Sequence, residues 1–332
     1  MTDDEGRRTP RRRPHSAAEL QEQLRATRSD IVDQVRATRL QFDQANARIT
    51  ARTGRNLVLA IGLGLVLAAA LLVSLVVLKQ LFLIVAVVLV GFGAYELAGA
   101  VKHAGIHVPR VGSAVAAVLA QPVAYFAMAP GADGQAVLPA GWLLAVAGAV
   151  LLAVAWRIAE EALGATRGRP LAKDLTTTAF VQLYVTGLGT CATVLTAQSG
   201  GQWWTLSFVA VVVATDLFAY VSGLLFGKHP MAPRISPKKT WEGFAGSALA
   251  AVVVATVLAP WLLGMPIWFG PILGVVVLLT GTLGDLGESM IKRDIGVKDI
   301  SGLLPGHGGF LDRIDSVLPS GAAALLLLFA TR

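Results

Sequence analysis

Cysteine is nearly absent from this chain, with one residue, Cys191, among 332. A single thiol excludes a disulfide framework and any cysteine-based metal site. Charge is scarce as well. Only 15% of residues are Asp, Glu, Lys or Arg, against about 25% in an average soluble domain. Hydrophobic residues make up 55%, and the mean hydropathy of +0.64 excludes an ordinary water-soluble fold. Period-2 alternation is missing, and open sheet edges cannot face lipid, so helices are the expected spanning elements. No secretory signal peptide is expected, because the first apolar run starts at residue 57 and is too long for one. The chain has no GxxxxGK[ST] and no Ser/His/Asp order, which argues against a P-loop ATPase or a serine hydrolase.

What the chain does contain is a series of apolar runs long enough to cross a bilayer core as helices. They read as nine spans: 57–78, 81–101, 111–130, 138–156, 175–196, 204–226, 243–263, 267–287 and 314–330. The expected fold is therefore an all-α polytopic membrane protein with about nine transmembrane helices. Three regions follow: 1–55, a polar basic tail and amphipathic helix; 56–200, spans for packing; and 201–332, spans carrying the chemistry. Small residues such as Gly62, Gly64, Gly91 and Gly93 suit close helix packing in the early spans. Within 1–55, "EQLRATRSDIV" is echoed by "DQVRATRLQFD", an 11-residue repeat close to the pitch of a straight helix. Leu20, Leu24, Ile31, Val35, Phe42 and Ile49 fall in one stripe, which suits either a membrane surface or a partner helix.

The net charge of +7 does not point to nucleic acid, because the basic residues sit in the first 55 positions and between spans, in alternate loops with Lys79 as the exception. Loops after even-numbered spans hold Lys102 and Arg110; Arg157, Arg167, Arg169 and Lys173; Lys228, Arg234, Lys238 and Lys239; and Lys292, Arg293, Lys298 and Arg313. The positive-inside rule then places the N-terminus and these loops in the cytoplasm. Localisation in the cell membrane, with the reactive groups facing the cytoplasm, is the expectation.

Those groups gather near the end of the chain. Asp216 and Asp285 lie inside apolar spans, where a carboxylate is costly unless it meets a cavity, a cation or a metal. The plain alternative for either is a polar contact between helices. Asp312 and Asp315 are three apart, on one helical face. Such hard oxygen ligands suit Mg²⁺ or Mn²⁺. Lys238, Lys239, Lys292, Arg293, Lys298 and Arg313 suit phosphate oxygens, and the glycines of "PGHGG" allow a tight loop against a ligand. Taken singly, "PGHGG" also reads as an ordinary turn and "SPKKT" as a basic topological loop. Together the residues describe a site for metal-bound polyphosphate.

The pattern Ser289, Lys292-Arg293, Lys298-Asp299, His307-Gly308-Gly309, Asp312-Arg313, Asp315 resembles the phosphatidate cytidylyltransferases, also called CDP-diacylglycerol synthases. The upstream block "DLFAYVSGLLFGKHPMAPRISPKKTWEG" resembles the same family, with Leu217 standing where members often carry Thr or Gly. The likeness is specific over about 205–320, weaker earlier and absent over 1–55. It implies the reaction of CTP with phosphatidate of the inner leaflet to give CDP-diacylglycerol and pyrophosphate. It also implies Mg²⁺, with or without a second cation, and a homodimer. By this resemblance Asp285 and Asp312 would hold the ion, with Asp315 and Asp216 beside them. Lys292, Arg293 and Lys298 would hold the CTP phosphates, and Arg313 would lie near the transferring phosphoryl group. Ser236, Lys238 and Lys239 would grip phosphate from the second block, with His307, Gly308 and Gly309 in the ligand loop. A CTP-dependent transferase of another lipid and a polytopic anion transporter are the alternative readings.

Overall fold

In the computed structural model, residues 57–127, 140–164, 170–303 and 308–332 are described. The basic tail, its repeat stripe, Arg167, Arg169 and His307 lie outside them. Among the described residues there are nine long helices, in chain order α1 Leu57–Val76, α2 Phe82–Ala100, α3 Arg110–Ala127, α4 Ala140–Ala162, α5 Leu171–Ala197, α6 Gly201–Phe226, α7 Trp241–Leu262, α8 Phe269–Asp294 and α9 Leu311–Ala330. Eight of them, α2 to α9, have the length and apolarity needed to span a membrane. α1 is a further 20 residues of helix, LVLAIGLGLVLAAALLVSLV, without a charge.

The helices run past the apolar segments at several ends. α4 continues to Ala162 and α8 to Asp294, so Arg157, Lys292 and Arg293 stand on helices rather than in loops. Lys173 likewise lies in the first turn of α5. The reason is propensity: Glu, Lys and Arg extend a helix readily once its apolar part has formed.

Packing relies on small residues, as expected where lipid supplies no hydrophobic drive between helices. Ala116, Ala120 and Ala124 of α3 and Ala145, Ala149 and Ala153 of α4 are all buried, two stripes at four-residue spacing in one core cluster. α7 and α8 approach more closely still. A Cβ at Gly270 would lie 2.2 Å from Thr256 Cα, and one at Gly274 would lie 2.6 Å from the Ala251 carbonyl oxygen. Of the early glycines, Gly91 packs on Val118 and Gly93 on Val185, whereas Gly64 has nothing within 4 Å. The surroundings of Gly62 lie outside those described. The outer faces remain apolar: Leu224, Leu249, Leu326 and Trp261 are among many large hydrophobic residues left exposed. That is the pattern of a chain bathed in lipid.

Two irregularities matter for the site. α5 contains a π-turn over Gln182–Gly187, and α9 is interrupted at Asp315–Ser316. Between α6 and α7 the "SPKKT" stretch forms a strand, β2 Ser236–Thr240, paired antiparallel with β1 Pro230–Ala232. Thr240 then caps α7, its hydroxyl accepting a bond from Gly243 N–H at 3.1 Å. Glu242 closes the base of the hairpin by accepting the N–H groups of Lys228 and His229, at 3.1 and 3.2 Å.

Candidate active site

α6, α7 and α8 enclose a cavity of about 320 Å³ beneath the hairpin. Asp216 and Tyr220 reach it from α6, Lys238, Lys239 and Thr240 from β2, Ser247 from α7, and Thr282 and Asp285 from α8. Asp285 forms an ion pair with Lys239, Oδ2 to Nζ at 2.6 Å. The strand thus carries a cation to a carboxylate inside the eighth helix.

Asp315 joins these acids from the break in α9, and Asp216, Asp285 and Asp315 stand close enough to feel one another's charge. Close helix approach brings them together. A Cβ at Gly284 would lie 2.3 Å from the Asp315 carbonyl oxygen and 2.7 Å from Pro319 Cγ, so only glycine lets α9 come this near α8. At the interruption, Ser316 N–H donates to Asp315 Oδ1 at 2.7 Å.

A second polar cluster lies one helical turn further along α8. Asp285, Glu288, Ser289 and Lys292 are spaced i, i+3, i+4 and i+7, which aligns them on one face. Lys292 Nζ donates to Glu288 Oε2 and, at 2.9 Å, to Asp312 Oδ1. Asp312 Oδ2 accepts Gly309 N–H at 2.7 Å. Gly308 is held at φ +79°, a backbone that glycine adopts without strain. Glu288 is 1% exposed, and its Oε1 has no hydrogen-bond partner. The buried hydroxyl of Tyr184, displayed by the π-turn, also has none, and it feels the charges of Glu288, Asp315 and Asp285.

The expected metal ligands therefore divide. Asp216 and Asp285 line the cavity and Asp315 adjoins them, but Asp312 has one oxygen on Lys292 and the other on Gly309. Among the described residues no three acidic, His or Cys side chains converge into a preformed metal cage. The donors of the first group are nevertheless hard carboxylate oxygens beside the hydroxyls of Thr215, Ser247 and Thr282, a chemistry that fits a divalent cation of the Mg²⁺ type. Arg293 Nε reaches the Ile235 carbonyl at 3.4 Å and ties α8 to the hairpin. Lys298 and Arg313 are exposed, on the loop beyond α8 and the first turn of α9. Ser236 opens β2 opposite Ala232.

Three residues escaped the sequence reading. Glu288 was legible from its spacing to Asp285 and Lys292. Glu96, a carboxylate inside an apolar span, meets the same criterion that singles out Asp216 and Asp285. It is 1% exposed and accepts bonds from Ser301 Oγ and, at 2.9 Å, Leu311 N–H. Tyr184 carried no signal, because nothing local marks the π-turn.

Residues 58–331 match the cytidylyltransferase family. A phosphatidate cytidylyltransferase of Mycobacterium tuberculosis is 35% identical over 289 residues, covering 86% of this chain and 86% of that protein. The phosphatidate cytidylyltransferase of Mycobacterium leprae is 34% identical over 296 residues, 84% of this chain and 89% of its own. One from Brucella abortus is 46% identical over a shorter stretch of 120 residues, 36% of this chain and 44% of its own.

Proposed function

Because the chain belongs to the cytidylyltransferase family, and is thus a membrane-embedded nucleotidyltransferase, we propose that it transfers the cytidylyl group of CTP to phosphatidate. An oxygen of the phosphatidate phosphate attacks the α-phosphorus of CTP. A new P–O–P bond forms, the bond to the β-phosphate oxygen breaks, and pyrophosphate leaves with the electron pair. The lipid phosphate is already anionic near neutral pH, so no strong protein base is required. Positioning and charge neutralisation carry the chemistry.

The observation that supports this reading most is the cavity where Lys238 and Lys239 face Asp216 and Asp285. The two ammonium groups suit phosphate oxygens, and an arriving anion would draw Lys239 away from Asp285. Asp216, Asp285 and Asp315 would then hold Mg²⁺. The ion would neutralise the polyphosphate and the charge that builds on the leaving pyrophosphate. Lys292 keeps Asp312 and the Gly308-Gly309 turn in register with α8. The exposed Arg313 and Lys298 are placed in this reading as further phosphate contacts, with a second copy of the chain as the partner that the resemblance implies.

The positive loops support a cytoplasmic site in the cell membrane, where soluble CTP and the headgroup of an inner-leaflet lipid can meet. Membership of an enzyme family argues against the anion transporter. The test is CTP-dependent conversion of labelled phosphatidate to CDP-diacylglycerol by the purified protein in detergent with Mg²⁺. Product is expected from the wild type, and Asp285→Asn should lower kcat by about a hundredfold or more. CTP turnover only with another lipid would replace the substrate, and no CTP use at all would sink the proposal.

A further inference from the structure

Glu96 stands on α2, far in sequence from every residue of the reaction described above, yet both its oxygens are used on the segment that leads into α9. Oε1 accepts the Ser301 hydroxyl, and Oε2 accepts Leu311 N–H at 2.9 Å. Ser301 Oγ in turn accepts Leu303 N–H at 3.2 Å. Gly309 lies flat against the same carboxylate, since a Cβ there would be 2.5 Å from Oε2. Neighbouring positions of α2 continue the contact. Phe92 stacks on Phe310 with ring centroids 4.8 Å apart, and Gly93 lies beside Leu311 and Ile314.

We propose that Glu96 is a positioning residue of the transfer reaction: its carboxylate joins the chain at Ser301 to the chain at Gly309–Leu311 and so sets the Gly309 N–H and Asp312 against Lys292. The path is short. Leu311 is fixed by Glu96, Asp312 follows it, and Asp312 bridges Gly309 N–H and Lys292 Nζ. Two donors on separate stretches of chain each require an acceptor, and a carboxylate supplies two. A neutral aliphatic residue would leave the buried Leu311 N–H unmet and free the half-buried Ser301 hydroxyl from its acceptor. Placing this anchor on α2 makes an early span part of the catalytic geometry, although it contributes nothing to the cavity.

The inference rests on the reading of this region as the transferase site, so the test needs an activity arm and an independent one. Glu96→Leu keeps the volume and removes both acceptors. It should lower kcat by about a hundredfold, with KM for CTP changed by less than about threefold. Glu96→Gln keeps an acceptor for Leu311 N–H and can meet the Ser301 hydroxyl with its amide, so it should lie within about fivefold of wild type, the size of one weakened hydrogen bond. Hydrogen exchange should show faster amides at Leu303 and Leu311 in Glu96→Leu and near-native rates in Glu96→Gln.

Wild-type kcat per folded molecule in Glu96→Leu would overturn the proposal, and so would equal losses in the Leu and Gln variants. Should Glu96→Leu fail to fold, Ser301→Ala removes one arm alone and decides the question. It must cut kcat and speed exchange at Leu303, and unchanged values of both would refute the role. If the wild type makes no CDP-diacylglycerol, the functional reading fails, and the exchange rates at Leu311 still judge the anchor.

Discussion

At the scale of single residues, the charges divide into those that build the protein and those left for a ligand. Arg157 is the clearest builder. It is 0% exposed and donates to Asp174, also 0% exposed, at 2.7 Å, and to Glu161 at 3.1 Å. Asp174 also accepts His107 N–H at 2.9 Å, so one network centred on a buried pair joins α4, α5 and the loop that leads into α3. Arg157→Met would leave two carboxylates without their cation and should cost about 3–5 kcal/mol, read by chemical unfolding in detergent. The kcat of the remaining folded enzyme should not change. Sequence alone made Arg157 one more basic loop residue. Hydropathy registers the charge and is blind to a partner that only folding supplies. The pair Lys239 and Asp285 was named from sequence as two separate groups of opposite use, and their contact at 2.6 Å depends on the hairpin.

At the scale of elements, the approach of α8 to α9 decides whether Asp285 and Asp315 share one site. Gly284 and Gly287 offer a controlled comparison on the same helix. A methyl at 284 would meet the Asp315 carbonyl and Pro319, whereas one at 287 meets nothing within 4 Å. Gly284→Ala should therefore cost about 1–3 kcal/mol through overpacking, and should lower kcat by moving Asp315 from its neighbours. Gly287→Ala should be neutral or stabilising by up to about 1 kcal/mol through helix propensity. Thermal unfolding and kcat measured side by side distinguish the two, and equal behaviour would contradict the packing argument. Helix existence was legible throughout, because long apolar runs specify it locally. Ends were not, as α8 shows by running on through Lys292 and Arg293 to Asp294. The π-turn in α5 and the interruption of α9 left no mark in the hydrophobic pattern, since both answer contacts between helices.

For the whole molecule, the distribution of Lys and Arg makes a statement about sidedness that chemistry can check. In a Cys191→Ala background, a single cysteine replacing His229 at the hairpin should react with an impermeant maleimide only from the cytoplasmic side. One replacing Ser199, in the exposed turn before α6, should react only from the other side. Labelling of both from one side would contradict the proposed topology. The background is mild because the substitution removes one sulfur atom from the core, where the Cys191 thiol makes only a weak bond to the Gly187 carbonyl, at 3.4 Å. Truncation to alanine there should cost about 1 kcal/mol.

By itself the sequence determined the class of protein, the succession of its spans and the family. Apolar length is a local property, and the blocks around residues 216–243 and 289–315 are contiguous in the chain. It also named the acids and bases from which the site is built. Only the tertiary structure decided how they combine: Lys239 with Asp285, Lys292 with Asp312, Asp315 beside Asp285, and Glu96 beneath the turn before α9. Each of these pairings depends on the distance between two separate stretches of chain. Side chains at the helix contacts, such as the missing one at Gly284, set that distance, and no periodicity within a single segment records it.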